Sequence, residues 1–325
     1  MCGHSSLSLD FLPVPTHSAL LVCGVALSMR FFFGRGSHAV LSFARARASS
    51  ASSANLEALK TTPSASASVN DAEVAKFSRV GSDWWSAEST SGTGPLHAMN
   101  PARVDFIRRA ISNHMGRSHL PASEQLHGVD ILDIGCGGGL LAEALARLGA
   151  RVVAIDPSEQ NIAVAKAHSR VDVLTREISY KCTTVEELLA LSTEEGSPPS
   201  FDFVCSLEVL EHVEDPKTFL RSCRKCAKPG GGLFLSTLNR TAKSYAMTIL
   251  GAEYLLRLLP VGTHDWNKFI RPDELVSMVS STGDVKSTIV EGLVLDPRCL
   301  SSGALSWRLS KTDLEVNYIV YAHLG

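Results

Sequence analysis

The sequence feature that most constrains the fold is a glycine-rich loop between a short apolar run and a helical segment. The apolar run 129–134 predicts a buried strand, and residues 140–148 return to helical periodicity. Glycines stand between them at positions 135, 137, 138 and 139. Such glycines let backbone N–H groups approach a ligand closely at the positive end of a helix. The loop therefore predicts a site for a nucleotide-type ligand.

The spacing of this loop narrows the ligand class. Dinucleotide-binding loops have the pattern G-x-G-x-x-G, but Leu140 stands where the third glycine would be. The observed D-x-G-x-G-x-G suits S-adenosylmethionine, because Asp133 offers a negative partner to the amino-acid head of that cofactor. A second predicted strand, 151–155, ends in Asp156, where a carboxylate can accept both hydroxyls of a ribose. We expect cofactor contacts at Asp133, Gly135, Gly137 and Asp156.

Strand-like and helix-like segments alternate along the rest of the chain. Apolar runs 201–207 and 231–238 predict two further strands, with a helix over 215–227 between them. Two late strands, 285–293 and 314–323, follow a predicted helix over 272–281. This alternation is typical of a parallel, doubly wound α/β sheet.

Charge and cysteine content disfavour two classes of function. The 325 residues include 31 Lys and Arg and 33 Asp and Glu, a formal net charge of −2, so we expect no nucleic-acid partner. Eight cysteines show no repeating spacing. Cys223-x-x-Cys226 has no second pair or zinc-finger histidine, which indicates two thiols on one helix rather than a zinc site.

The amino-terminal residues differ in composition from the rest of the chain. Residues 1–56 hold four arginines and a single acid, which leaves 27 basic and 32 acidic residues for the remainder. The apolar run 19–29 is shorter than the roughly 20 residues that span a bilayer, and its positive charge follows it, unlike a secretory signal. The Arg-, Ser- and Ala-rich segment 29–54 is typical of a mitochondrial or plastid transit peptide; an untargeted tail is the alternative. We predict a transit peptide over 1–54, a linker over 55–70 and one folded domain over 71–325.

Six segments between about residues 73 and 318 resemble the ubiquinone-biosynthesis O-methyltransferases, within the class I S-adenosylmethionine-dependent methyltransferases. They are EVAKFSRVGSDWW (73–85), PLHAMNPARVDFI (95–107), LDIGCGGGLLAEALARLGARVVAIDPS (132–158), SLEVLEHVEDP (206–216), KPGGGLFLSTLNRTAKS (228–244) and GAEYLLRLLPVGTHDWNKFIRPDEL (251–275). The parts STLNRTAKS and GTHDWNKFI are much more specific than the glycine loop. The resemblance implies a Rossmann-like, doubly wound, mostly parallel seven-stranded sheet with an antiparallel last strand.

The resemblance also implies a cofactor, a location and partners. S-adenosylmethionine would be the methyl donor, contacting Gly135, Asp156, Leu207 and Arg103. The Arg103 guanidinium can pair with the carboxylate of the cofactor. The implied location is the matrix face of the mitochondrial inner membrane, with membership of a ubiquinone-biosynthesis complex.

The segment Glu208-x-x-Glu211-His212 is the candidate catalytic centre. It follows the predicted strand 201–207, and ligands of open α/β sheets bind at the carboxyl ends of strands. The three side chains can converge on one face of a helical turn, and the resemblance implies that they bind a divalent metal. Mg²⁺ is expected, with Zn²⁺ or Mn²⁺ as alternatives, and a merely charged first helical turn is the other interpretation. Glu208 and His212 are the predicted catalytic residues; without a metal His212 is the general base, and His264 is a second candidate.

The segment 245–260, from Tyr245 to Pro260, is strongly apolar, with Glu253 and Arg257 four positions apart on one predicted helix face. It is too short to span a bilayer, so we expect either a buried lid or core helix or, preferably, a helix at the membrane surface.

The preferred hypothesis for the substrates is polyprenylated catechol precursors of ubiquinone, at the polyprenyl-dihydroxybenzoate and demethylubiquinol steps. Methylation of soluble phenols and a non-catalytic scaffold are the alternatives.

Overall fold

The computed structural model of the protein describes residues 68–86, 93–194, 199–299 and 305–325. The predicted transit peptide and residues 55–67 of the predicted linker lie outside the described residues. The described part of the chain folds around one mixed sheet with the strand order β3-β2-β1-β4-β5-β8-β6-β7. This order reverses direction at β1, which confirms the predicted doubly wound α/β class.

The described residues contain eight strands. They are β1 (Asp130–Ile134), β2 (Arg151–Asp156), β3 (Ser179–Cys182), β4 (Phe201–Leu207), β5 (Ala227–Leu238), β6 (Val285–Leu295), β7 (Trp307–Ser310) and β8 (Asn317–Leu324). The first five are parallel, and β8 is antiparallel to both β5 and β6. The four-residue edge strand β7 makes eight strands where the resemblance implied seven.

Helices cover both faces of the sheet. They are α1 (Asp71–Ser78), α2 (Gly94–His114), α3 (Leu140–Arg147), α4 (Glu159–Ser169), α5 (Val185–Glu194), α6 (Pro216–Cys226), α7 and α8 (Pro272–Ser280), where α7 joins an α-turn, Ala242–Ser244, to a π-helix, Tyr245–Leu255. Side-chain caps at Asn70, Ser158 and Asp215 begin α1, α4 and α6, and each cap accepts backbone N–H from the first turn. The predicted cap at Ser158 is confirmed.

Two apolar layers form the core, one on each face of the sheet. Residues of α2, α3 and α4 pack on one face, and residues of α5, α6 and α8 pack on the other. Cys223 and Cys226 lie in the second layer as buried thiols three positions apart on α6. The sheet is thus buried on both faces, as its near-continuous apolar strands require.

Three predicted boundaries differ from the structure. Helical periodicity predicts a helix from Pro101 to about His114, but helix α2 begins at Gly94, because Pro101 is tolerated within it. Strand β5 begins at Ala227 and passes the glycine turn through a register shift against β4. The π-helix of α7 ends at Leu255, so Glu253 and Arg257 do not share a helix face. Of the helices in the described ranges, none has the length and apolar character needed to cross a membrane.

Candidate functional site

A cavity of about 430 Å³ lies at the carboxyl ends of the central parallel strands. Its walls include the residues that follow β1, β2 and β4, the end of β5 and the start of β8. Helices α1 and α7 add further walls. The parallel strands of a doubly wound sheet bring their carboxyl ends together here, so residues distant in sequence meet around one space.

The glycine loop needs its glycines for packing as well as for ligand approach. Gly135, Gly137 and Gly139 all have positive φ, of 74°, 53° and 91°. A Cβ atom on Gly137 would lie 2.3 Å from Cη2 of Trp84, and one on Gly135 would lie 2.5 Å from a methyl carbon of Val209. The indole of Trp84 therefore rests directly on the loop, and the loop admits no larger residue there.

Asp156 anchors the same loop from the next strand. One carboxylate oxygen accepts the N–H of Gly137 at 2.9 Å, and the other accepts the N–H of Ser158 at 2.9 Å and the amide of Asn161 at 3.2 Å. Burial raises the pKa of Asp156 above its ordinary value, while these hydrogen bonds lower it. Asp156 lines the cavity as predicted, and each oxygen that a ribose hydroxyl would approach already accepts at least one bond.

Arg103 and Asp133 are two buried charges of opposite sign in this cavity, 4% and 2% exposed. Arg103 donates from Nη2 to the oxygens of Leu96 and Asn100 at 3.4 and 3.3 Å. Nε of Arg103 and Oδ2 of Asp133 have no hydrogen-bond partner among the described atoms. Burial raises the pKa of Asp133 to about 7. An unpaired cation and an unpaired carboxyl group fit the carboxylate and the ammonium of an amino-acid head group.

Leu207 completes the predicted cofactor contacts. It is the last residue of β4, it is buried, and it lines the cavity. Arg103, Asp133, Gly135, Gly137, Asp156 and Leu207 therefore all border one space.

Glu208 and Glu211 line the cavity from the turn after β4, and side chains of β5 and β8 donate hydrogen bonds to the two carboxylates. Glu208 has a left-handed backbone, with φ at 56°, and its side chain accepts from the Ser236 hydroxyl at 2.7 Å and from the Asn317 amide at 3.3 Å. Glu211 accepts from the Thr237 hydroxyl at 2.7 Å, and its Oε1 has no partner among the described atoms. Burial and the negative charge of Glu208 raise the pKa of Glu211 to about 8.

His212 pairs with a different carboxylate. Its Nδ1 lies 2.8 Å from a carboxylate oxygen of Glu73 on α1. This contact lowers the pKa of Glu73 to about 2, and burial lowers the pKa of the imidazole. Within the described ranges, no three His, Cys, Asp or Glu side chains converge in a way that could hold a metal ion. The pair Glu208 and Glu211 suits a cation, but His212 does not join them here, and the predicted metal ligand set stays a prediction.

His264, the second candidate base, forms a similar pair with a carboxylate. Its Nδ1 lies 3.1 Å from Oε1 of Glu253, which also accepts the backbone N–H of His264 at 3.0 Å. Glu253 is 1% exposed on α7. The rings of His212 and His264 have centroids 5.8 Å apart, and both residues line the cavity.

Several residues of the site escaped the sequence analysis. Glu73 and Trp84 lie in the quoted segment 73–85, which marked them as part of the resemblance without indicating a role. Thr237 and Glu253 also lie in quoted segments, whereas Asn317 does not, and no local pattern indicated a role for any of the three because each meets its partner only through the tertiary structure.

Comparisons with known proteins agree with this geometry. Residues 132–235 match the family model described as a methyltransferase domain. The chain is 45% identical over 254 residues to the ubiquinone biosynthesis O-methyltransferase of Cereibacter sphaeroides, covering 78% of this chain and 96% of the relative. It is 46% identical over 259 residues to the protein of the same name in Methylocella silvestris, covering 78% and 94%.

Among solved structures, the chain is similar to the magnesium protoporphyrin IX methyltransferase of Synechocystis with bound SAH. The TM-score is 0.51 at 16% identity, and the match covers 79% of this chain and 96% of the other. That likeness concerns the fold, whereas the bacterial relatives match nearly end to end at 45–46% identity. The chain therefore belongs to the ubiquinone biosynthesis O-methyltransferases and is an S-adenosylmethionine-dependent O-methyltransferase with a class I fold.

Proposed function

We propose that this enzyme methylates a catechol hydroxyl of polyprenylated ubiquinone precursors, at the polyprenyl-dihydroxybenzoate and demethylubiquinol steps. One observation carries the proposal: a single cavity is lined both by buried charges and by apolar residues of α7 and the segment after it. Arg103 and Asp133 are the charged residues, and Met247, Leu258 and Leu259 are among the apolar ones. A polar head with a long prenyl tail matches this mixed lining of the cavity.

Bound S-adenosylmethionine supplies an electrophilic methyl group on a sulfonium. Arg103 and Asp133 would hold its amino-acid head, and the residues of the glycine loop would border it. We place the hydroxyl that meets the methyl group beside His212 and Glu208, which also line the cavity. Without a metal, His212 would accept the hydroxyl proton, and burial, which lowers the pKa of its imidazole, favours the neutral form that can do so.

The outer face of α7 supports a peripheral membrane role. Its exposed large apolar side chains, with the following Val261, are 41–66% exposed: Tyr245, Leu250, Tyr254, Leu255 and Val261. Residues of the same segment line the cavity, so a helix at the membrane surface would open the site toward a prenyl tail. We place this surface on the matrix face of the mitochondrial inner membrane, within a ubiquinone-biosynthesis complex, with residues 1–54 as the transit peptide.

Vesicle binding tests the membrane surface. The double change Tyr254→Ser and Leu255→Ser should weaken co-sedimentation with anionic phospholipid vesicles at least tenfold, because full burial of each such side chain is worth about 1.5–3 kcal/mol. The matched control, Val171→Ser with Leu174→Ser, removes two apolar side chains that are 86% and 58% exposed on another surface. Equal vesicle binding by both double variants would contradict the proposal.

Methyl transfer tests the substrate class. Labelled S-adenosylmethionine is offered with a short-tailed polyprenyl catechol and, separately, with the same catechol lacking the tail. We expect the prenylated compound to have the higher kcat/KM, because its tail would contact the apolar residues that line the cavity. Equal kcat/KM for the two compounds would favour the soluble phenols, and no turnover with either would contradict catechol methylation.

The same assay tests the metal, which we propose to be Mg²⁺ held by Glu208 and Glu211 with His212. The unpartnered Oε1 of Glu211 beside a second carboxylate supports this choice. Turnover should be lost in chelator and restored by Mg²⁺, and Glu208→Gln should raise the Mg²⁺ concentration needed for half-maximal turnover. Full turnover in chelator would contradict the metal and leave His212 as the proton acceptor.

A further inference from the structure

Within the described residues, three lysine or arginine side chains line the cavity: Lys76, Arg103 and Lys243. Arg103 is proposed above to hold the amino-acid head of the cofactor. Lys76 donates to two backbone carbonyl oxygens, those of Gly262 and Thr263, at 2.9 and 2.5 Å. A carboxylate oxygen of Glu73 lies 3.3 Å from the same ammonium, so its three N–H groups all have partners. Lys243 is the cation that remains for a group of the substrate.

Lys243 lies in the first turn of α7 and contacts two carboxylates of the turn before β8. Its Nζ is 2.6 Å from Oε2 of Glu315 but 3.3 and 3.4 Å from the two carboxylate oxygens of Asp313. The side chains of Lys243 and Asp313 are 26% and 22% exposed, and both residues line the cavity. Glu315 is 61% exposed and does not line it. The short contact therefore lies away from the cavity, and only the long contact lies at it.

The segment that leads into β8 contacts both Lys243 and the proposed reaction centre. Strand β8 begins at Asn317, whose amide donates to Glu208 at 3.3 Å, and Glu315 lies two positions before it. Thr241, two positions before Lys243, donates to the carbonyl oxygen of Glu315 at 2.6 Å. Lys243 and Glu208 are thus both held at the start of one strand. A ring with its hydroxyls beside Glu208 would therefore have a cation available for a second acidic group.

The helix that carries Lys243 also supplies apolar lining. Met247 follows Lys243 by four positions and lines the cavity, as do Leu258 and Leu259 after the helix. One continuous segment therefore offers a cation and then apolar side chains. This order matches an aromatic ring that carries both a carboxylate and a prenyl tail.

We propose that Lys243 is a specificity-determining residue that pairs with the ring carboxylate of a prenylated dihydroxybenzoate. The carboxylate binds the cavity side of the ammonium, where Asp313 makes only its long contact, while Glu315 keeps the amine oriented. Such a charge-assisted hydrogen bond favours the dihydroxybenzoate over demethylubiquinol, which has no carboxylate. The inference rests on the proposed function for the class of prenylated aromatic substrates.

Binding tests this inference without turnover. Calorimetry measures the affinity of the full chain, saturated with S-adenosylhomocysteine, for a short-tailed prenyl-4-hydroxybenzoate and for the matching prenylphenol, which lacks the carboxylate. Lys243→Met should weaken binding of the benzoate about tenfold and leave binding of the phenol within about twofold, because only the benzoate loses a charged partner. Lys243→Arg keeps the charge and should retain most of the preference. The control Lys217→Met removes an exposed lysine that does not line the cavity.

Asp313→Asn provides a change of the opposite sign. It removes the negative charge that competes for the ammonium, and an asparagine oxygen can still accept the backbone N–H of Glu315, which Asp313 accepts at 3.2 Å. The benzoate should then bind about threefold more tightly, with the affinity for the phenol unchanged. A merely structural role for Lys243 would not produce this selective gain.

The outcomes separate the inference from the proposed function. If Lys243→Met weakens binding of both compounds alike, or of neither, Lys243 only fastens α7 to the turn before β8 and the inference is wrong. No gain for the benzoate in Asp313→Asn, or equal affinities of the unaltered protein for the two compounds, would also overturn it while leaving the prenylated class in place. If the unaltered protein binds neither compound, the proposed substrate class fails together with the inference.

Discussion

Arg103 and Asp133 are two buried charged residues at the proposed cofactor site. Each is nearly inaccessible to water, and each leaves one polar atom without a protein partner among the described residues. Burying such groups costs free energy unless a ligand satisfies them. We therefore propose that the two groups bind a ligand that carries both a carboxylate and an ammonium group.

Arg103→Lys should weaken binding of S-adenosylmethionine about 10- to 150-fold. A hydrogen bond to a charged group is worth about 1.5–3 kcal/mol, and lysine cannot present the planar fork of a guanidinium. Titration calorimetry measures the effect. Arg109→Lys is the control, because Arg109 lies on the same helix as Arg103, pairs with Asp105 and Glu291, and does not border the cavity. Equal affinities of the two variants would disprove the role of Arg103.

The raised pKa of Asp133 predicts a pH dependence of cofactor binding. The free protein holds a neutral carboxyl below its pKa of about 7, and the cofactor ammonium favours the ionised form. Binding should therefore release a proton near pH 6, and affinity should rise with pH up to about 7 and then level off. Calorimetry in two buffers of different ionisation enthalpy detects the proton, and Asp133→Asn should abolish the release.

The same shift affects the stability of the free protein. The ordinary pKa of 3.8 applies to the unfolded chain, so between about pH 4 and pH 7 the folded state binds more protons. The contribution of Asp133 to stability is complete below pH 4 and is lost as pH rises to 7, on the order of a few kcal/mol. The unfolding free energy of Asp133→Asn relative to the unaltered protein should therefore rise across this range. A difference that is flat with pH would contradict the buried neutral carboxyl.

At the scale of elements, the glycine loop and the short helix Gly81–Trp85 form one packed unit. Gly137→Ala should lower the free energy of unfolding for two reasons. Its Cβ overlaps the Trp84 ring, at about 1–3 kcal/mol for overpacking, and its left-handed backbone costs about 1–2 kcal/mol more.

A double-mutant cycle separates these two costs in chemical unfolding experiments. In a Trp84→Ala background, only the backbone cost of Gly137→Ala should remain. Gly116→Ala is the matched control, because Gly116 has φ of 66° and nothing within 4 Å of an added Cβ. If the cost of Gly137→Ala were the same with and without the indole, the contact with Trp84 would have no energetic role.

The bounds of helices and strands were largely predictable where several local sequence patterns agreed. Strand β4 occupies the predicted residues, and Ser158 caps α4 as its position before a helical run indicated. The π-helical form of α7 was not predictable, because an apolar run of this length reads equally as an α-helix. The short edge strand β7 was missed because a four-residue strand carries too little periodicity.

At the scale of the whole molecule, the segment 68–86 belongs to the functional domain rather than to the leader. Trp84 lies on the glycine loop, Glu73 meets His212, and Ser68 donates to Glu186 at 2.8 Å. This segment precedes the sheet in the chain but helps to enclose the cavity.

Truncation tests that assignment. A chain that begins at residue 87 should bind S-adenosylhomocysteine at least tenfold more weakly than one that begins at Ser68, because it lacks a wall of the cavity. Its Tm should also be several degrees lower, since the loss of contacts worth 1 kcal/mol shifts Tm by about 2–4 °C in a domain of this size. Calorimetry and thermal unfolding measure both quantities. Equal affinity would show that the segment does not contribute to the site.

The sequence by itself determined the fold class and predicted the residues of the proposed cofactor site, since strand, glycine loop, helix and Asp156 follow one another within 28 positions. Only the tertiary structure decided the surroundings of the catalytic segment. Glu73 reaches His212 across 139 positions, and Asn317 reaches Glu208 across 109. Local patterns encode local structure through periodicity and caps. Such distant pairs depend on the order of strands in the sheet and on how helices dock against it, which no local pattern specifies.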